Sequence, residues 1–254
     1  MRLWIDTDVG DNPDDAVALR CAHVHPEVEV VGVNTVDGDH GRRVELARSL
    51  VNAPVHRGDE RELAASVAAS HPDVLLAIGP LSNVATLLAA GATAPRLAVM
   101  GGALGAVHHR GMLRHVEHNF GRDPHAAEVV LRACAPVLLT PLDVSVSMRL
   151  DAPALARLLE SFPELVPEVE EWMEIQRAAG VPAAAGRTVC LHDPLALLSV
   201  VEPDLVQVED RHLAVSGSGE VSETPSAPVH RVVLGVDASA AVERILGLLA
   251  RGMG

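Results

Sequence analysis

At 254 residues and 48% hydrophobic content, the chain suits one large α/β domain with a full core. A net charge of −14 argues against nucleic acid or an anionic membrane as partner, and no apolar run approaches the ~18 residues of a membrane span. Aromatic residues make up only 2% and Tyr is absent, so the core must be built from Ala, Val and Leu.

The chain opens on a short apolar strand, Arg2-Leu-Trp-Ile, that runs straight into Asp6-Thr-Asp8-Val-Gly10-Asp11-Asn-Pro-Asp14-Asp15. No signal-peptide pattern precedes it, and the expectation is a cytoplasmic protein. Asn12 as cap, Pro13 at the first helical position and two Asp in the first turn predict a helix start. Val28–Val36 is an apolar, β-branched run, the pattern of a strand buried on both faces. A helix over His40–Val51, a strand near Val55 and a helix around Glu60–Ala69 follow. Asp73–Ile78 reads as a strand ending in Gly79-Pro80, Leu81–Ala90 as a helix, and Arg96–Met100 as a strand ending in Gly101-Gly102. A helix over Asp123–Ala133 and a strand over Val137–Thr140 close the series.

Repeated βα units of this length predict an α/β fold with a mostly parallel central sheet flanked by helices. In such sheets ligands sit beyond the carboxyl ends of the strands. The loops Asp6–Asp15, Val36–His40, Ile78–Asn83 and Met100–Asn119 all lie at those ends. After Asp151 the chain turns helical, over Ala152–Glu160 and Glu164–Ala178, then a Val189–Val201 segment containing His192-Asp193-Pro194. Two strands near Leu205–Val208 and Leu213–Val215, a Gly/Ser/Pro-rich loop over Ser216–Ser226, a strand over Arg231–Val236 and a helix over Ala238–Arg251 complete it. No linker separates parts of the chain, so residues 1–254 are expected to form a single domain. Cys21, Cys134 and Cys190 are widely spaced and read as buried free thiols of a reducing compartment.

Five carboxylates between Asp6 and Asp15 repel one another, yet the chain has no Lys, and no Arg lies between Arg2 and Arg20. A bound divalent cation answers that repulsion, and oxygen ligands point to Ca²⁺ or Mg²⁺ rather than zinc. His108, His109, His115 and His118 read as a mobile polar loop, because no Cys or regular helical His pair accompanies them.

These motifs together resemble the inosine–uridine-preferring nucleoside hydrolases, almost end to end. The resemblance rests on Asp6-x-Asp8-x-Gly10…Asp14-Asp15-Ala, Thr35-Val-Asp-Gly38-Asp39, Gly79-Pro80-Leu81-Ser82-Asn83, Met100-Gly101-Gly102 with Glu117-His118-Asn119 and Asp123-Pro124, and His192-Asp193-Pro194. It implies Ca²⁺-dependent hydrolysis of the N-glycosidic bond of a ribonucleoside or related N-ribosyl compound. It also implies roles: Asp8 as metal ligand and general base, Asp15 and Asp193 as ligands, and Ile78 as a ligand through its carbonyl. Asp14, Glu117 and Asn119 are the expected partners of ribose hydroxyls, Met100 lines the sugar pocket, and Asp39 stands beside the sugar. His192 is the expected proton donor to the leaving base, and relatives imply a homodimer or homotetramer.

The sequence also departs from that pattern. Asp11, Asn12 and Pro13 stand where one residue is usual, which offers Asp11 as an added ligand. A segment of about thirty residues is missing where Gly58-Asp-Glu-Arg-Glu-Leu runs almost straight to His71-Pro72-Asp73. Arg110-Gly111 replaces a sugar-contacting Asn, and Trp172, Gln176 and Arg177 stand in for tyrosines that cover the base. Two other readings follow: a metal- and ribose-binding protein without turnover, and a haloacid-dehalogenase-like Mg²⁺ phosphatase with Asp6 as nucleophile. The second needs a Lys that this chain lacks.

Overall fold

Side chains alternate along β1 (Arg2–Thr7): Leu3 and Ile5 enter one apolar layer and Trp4 the other, all fully buried. A strand buried on both faces belongs inside a covered sheet. The computed structural model, which describes residues 1–58, 62–92, 96–182 and 188–251, places it there. The other strands of this sheet are β2 (Glu29–Thr35), β3 (Val55–Arg57), β4 (Val74–Ala77), β5 (Arg96–Met100), β8 (Leu138–Thr140), β9 (Val206–Val215), β10 (Val221–Glu223) and β11 (Val229–Val236). Their order is β10-β9-β11-β8-β5-β4-β1-β2-β3. The strands from β3 to β11 in that order run parallel, and β9 and β10 add an antiparallel edge. This is the mixed, mostly parallel α/β architecture expected.

One layer is covered by α1 (Pro13–Val24), α2 (His40–Leu50), α8 (Ala152–Ser161), α9 (Val166–Ala178), α10 (His192–Val201) and α11 (Ala238–Arg251). The other is covered by α3 (Leu63–Ser70), α4 (Ser82–Ala89) and α6 (Pro124–Ala133). After β1 the chain turns to α1 on one layer; after β4, its neighbour, it turns to α4 on the other. The two connections therefore diverge and open a crevice at the carboxyl ends of β1 and β4. With so few aromatics, Trp4 has a fitted place. A Cβ on Gly32 would lie 2.2 Å from its ring, so glycine there admits the indole.

Several elements differ from expectation. The two strands expected near Leu205–Val208 and Leu213–Val215 are one strand, β9, because pairing with β11 carries through the polar residues between them; Leu205 itself ends the helical turn before it. The Ser216–Ser226 loop contains β10, paired to β9. The expected helix around Glu60–Ala69 is seen as Leu63–Ser70; its start and the short link after Gly58 fall on residues 59–61, outside the described residues. Within Met100–Asn119, β6 (Val107–His109) and β7 (Met112–Arg114) form a hairpin, and α5 (His118–Arg122) follows. Among the described residues no helix is long and apolar enough to cross a membrane.

Candidate active site

Thr7, the last residue of β1, ties the first loop to the helix after it. Its Oγ1 donates to Asp15 Oδ1 at 2.6 Å and accepts from the Val9 N–H at 3.1 Å. Asp14 and Asp15 thus enter the first turn of α1 with Pro13 before them; the expected Asn12 side-chain cap does not form. From the far end of the chain, α10 points its N-terminus at the same place. Asp14 Oδ2 accepts the backbone N–H of His192 at 3.1 Å and of Asp193 at 3.4 Å. Asp14, Asp15 and Asp193 offer carboxylate oxygens within 4.8 Å of one another, and all three are buried.

Such a cluster is costly without a cation. Burial first, and Asp8 and Asp14 next, hold the Asp15 carboxyl well above its ordinary range. Burial and the charges of Asp14, Asp15 and Asp8 do the same to Asp193. Asp14 Oδ1 is buried without a hydrogen-bond partner. Three hard oxygen donors, one oxygen of them unspent, suit a hard divalent cation. Asp8 lines the same cavity but is not one of the three; burial, opposed by Arg43, pushes its carboxyl up to about 7.

Opposite the carboxylates, Glu117 caps α5. It accepts the N–H groups of Asn119 at 2.8 Å, Phe120 at 3.1 Å and Gly102 at 3.1 Å. Burial pushes its carboxyl up to about 7 despite these bonds. Asn119 Nδ2 donates to the Ile78 carbonyl at 3.0 Å and the Met100 carbonyl at 3.1 Å, joining the ends of β4 and β5. Asp8, Asp14, Asp15, Ile78, Met100, Glu117, Asn119, His192 and Asp193 therefore line one cavity of about 270 Å³. A larger cavity of about 580 Å³ beside α4 shares no residue with it.

Asp39 is not among them: it is an exposed cap of α2, accepting from the Gly41 and Arg42 N–H groups. Asp11 does line the cavity, yet its Oδ2 pairs with Arg43 Nη2 at 2.8 Å. Arg43 is the cation that sequence reasoning missed. Buried on α2, it also donates to the carbonyls of Val9 at 3.0 Å and Asp37 at 2.9 Å. Only the pairing of β1 with β2 brings it there, and its single hint in the sequence is its place one turn into α2.

The β6–β7 hairpin roofs the cavity instead of ranging freely as a polar loop. Arg110 and Gly111 form its two-residue turn with φ of 53° and 76°, the backbone of a type I′ turn. His109 meets the His192 ring edge-on at 5.2 Å, and the Arg110 guanidinium stacks over Trp172 at 4.2 Å. His192 Nδ1 pairs with Ser145 Oγ at 2.8 Å, in α7 (Leu142–Ser145). Of the three residues expected to cover the base, only Trp172 lines the cavity. Gln176 donates to the Thr188 carbonyl at 3.3 Å, and Arg177 is an exposed partner of Glu174.

The phosphatase reading does not survive this geometry. Its nucleophile, Asp6, is buried outside the cavity, where Oδ1 accepts from Asn34 and from Asn83 at 2.9 Å.

Comparison with known proteins agrees with the fold. Residues 40–243 match the model of the inosine-uridine preferring nucleoside hydrolase family. The non-specific ribonucleoside hydrolase RihC of Escherichia coli is 27% identical, the match covering 87% of this chain and 86% of that protein. In structure, the plant nucleoside hydrolase PpNRh1 is similar with a TM-score of 0.81 at 18% identity, over 98% of each chain. A purine-preferring ribonucleoside hydrolase from Gardnerella vaginalis is similar with a TM-score of 0.79 at 21% identity, over 99% of this chain and 100% of that one. The family match spans most of the sequence, including Glu117, Asn119, His192 and Asp193, and the chain belongs to the inosine-uridine preferring nucleoside hydrolase family.

Proposed function

We propose that the protein is a calcium-dependent N-glycosidase that hydrolyses a ribonucleoside or related N-ribosyl compound to ribose and free base. The observation that carries this reading is the meeting of Asp14, Asp15 and Asp193 in the cavity that Glu117, Asn119 and Met100 line from the other side. Family membership supports the bond that is cleaved. One sheet drawing strands from Arg2 to Val236 supports reading the chain as one domain.

Asp15 and Asp193, with Asp8 and the Ile78 carbonyl beside them, are the groups that would hold the ion, and Asp14, expected beside the ribose hydroxyls, lies close enough to Asp15 and Asp193 to join them. Calcium held by these groups would supply the positive charge that lowers the pKa of a nearby water. Asp8, which lines the cavity beside the three carboxylates, takes the proton from the attacking water. Glu117 and Asn119 fix the ribose, and buried carboxylates around it favour the positive charge that develops on the ring. His192 is neutral, since burial first, then His109 and Arg110, hold its pKa well below the ordinary value. If Ser145 donates to Nδ1, the imidazole proton sits on Nε2, where it can hydrogen-bond the departing base as negative charge develops there.

Incubation with purine and pyrimidine ribonucleosides, followed by chromatography of the free base, tests the proposal. Base release that stops on chelation and returns with calcium is the expected result. Calcium binding with no release from any compound would leave a binding protein instead.

A further inference from the structure

Arg110 is a cation inside the cavity that makes no ion pair among the described residues, although the charge of Asp14 reaches it. Its φ of 53° is a conformation that Asn or Gly adopts far more readily in such a turn, so an arginine there is held at a cost. The side chain is half-buried and its guanidinium stacks on Trp172, whose indole donates to the Thr188 carbonyl at 3.3 Å. Stacking fixes the plane of the guanidinium and leaves its in-plane N–H groups unspent. Among the described residues it has no hydrogen bond and no ion pair. Asp14 is felt only at longer range.

Beside its acidic cluster the cavity holds a second guanidinium: Arg114 lines it and has no ion pair among the described residues, and His118 lines it with an imidazole that burial, then Arg122 and Arg110, hold below its ordinary pKa. Burial first, then Arg110, Arg114 and Arg149, push the His109 imidazole down to about 4. A guanidinium withdrawn from water beside a like charge is a net cost unless a ligand supplies acceptors.

We infer, building on the glycosidase reading, that the preferred substrate is a ribonucleoside 5′-phosphate, and that Arg110 is the residue that selects it through the phosphate. Two guanidinium groups and an imidazole around one space match the several oxygens of a dianionic phosphate. A carboxylate on the leaving base would fill only one guanidinium fork.

The test compares base release from nucleosides, their 5′-monophosphates and a nucleoside with a carboxylated base. It uses the wild type and Arg110→Asn, a change the turn accepts. Calorimetry of ribose and ribose 5-phosphate, with calcium present, accompanies it. The wild type is expected to favour the monophosphate in kcat/KM. Arg110→Asn is expected to lose about 10- to 100-fold more on the monophosphate than on the nucleoside, the loss of a charge-assisted contact. Preference for the plain nucleoside, preference for the carboxylated base alone, or an equal loss on nucleoside and monophosphate would overturn the inference. If no compound releases base, the glycosidase reading fails separately. Ribose 5-phosphate binding tighter than ribose, and lost in Arg110→Asn, would then still sustain the role of Arg110; equal binding would overturn it.

Discussion

Asp14 and His192 stand 178 positions apart in sequence, yet Asp14 Oδ2 accepts the His192 backbone N–H at 3.1 Å. One carboxylate thus joins the start of α1 to the start of α10 and brings Asp15 and Asp193 together. Its other oxygen, buried and unpartnered, is left for a ligand. We predict that Asp14→Asn weakens calcium affinity at least about ten-fold, the scale of one charged contact. The thermal midpoint in chelator should hold or rise, because a like charge has left the cluster. Calorimetry and thermal melts check both; a lower midpoint with unchanged affinity would make Asp14 a structural cap only.

Asp8 is set apart from that triad, at the mouth of β1, where a base is needed. Asp8→Asn should lower kcat about 10²- to 10⁴-fold while the midpoint in chelator holds or rises, as a buried like charge is removed. Full activity in a steady-state assay would remove Asp8 as the base.

His192 is assigned to the leaving base. His192→Ala should lower kcat on ordinary nucleosides about 10²-fold or more. It should have far less effect on a 4-nitrophenyl riboside, whose leaving group needs no proton. Equal losses on both would point to a positioning role.

Arg43 is the main support of the first loop. Arg43→Met leaves the Val9 and Asp37 carbonyls without their donor and should cost about 2–4 kcal/mol by denaturant melts. Asp11→Ala removes only an exposed partner of Arg43 and should cost less than about 1 kcal/mol. Comparable losses from the two would mean that the Asp11 pair, not the carbonyl contacts, holds the loop.

Stability should depend on pH in a direction set by the buried acids. Burial raises the carboxyls of Asp6 and Asp8 from 3.8, and of Glu117 from 4.5, each to about 7. Between about 4 and about 7 the folded, calcium-free protein therefore holds protons that the unfolded chain has released. Its stability is greatest below that window, falls as pH rises through it, and levels off above. Calcium binds the ionised carboxylates, so it should flatten the fall. Melts across this range, with chelator and with calcium, check the prediction; stability rising with pH in chelator would contradict it.

The fold was largely legible because strands such as Val28–Val36 and the acidic start of α1 are local signals, set by a continuous apolar run and by Pro and Asp in a helix's first turn. The carboxylate site was legible for a related reason, as clustered like charges demand an explanation nearby. What the sequence hid were pairings across distance. Arg43 meets Asp11 only because β2 lies beside β1, and His109 meets His192 only because the hairpin folds back over α10. Asp39 shows a different limit. An acidic residue before a helix serves equally as cap or as ligand, and here the backbone of α2 takes it.

The most direct test of the central claim is the rate of reducing-sugar release from ribonucleosides and their 5′-monophosphates as calcium is restored to chelated protein. The account predicts no release without the ion and a rate that saturates with calcium binding. Release that continues at full rate in chelator would contradict it, since Asp14, Asp15 and Asp193 would then be assembled for something other than the reaction.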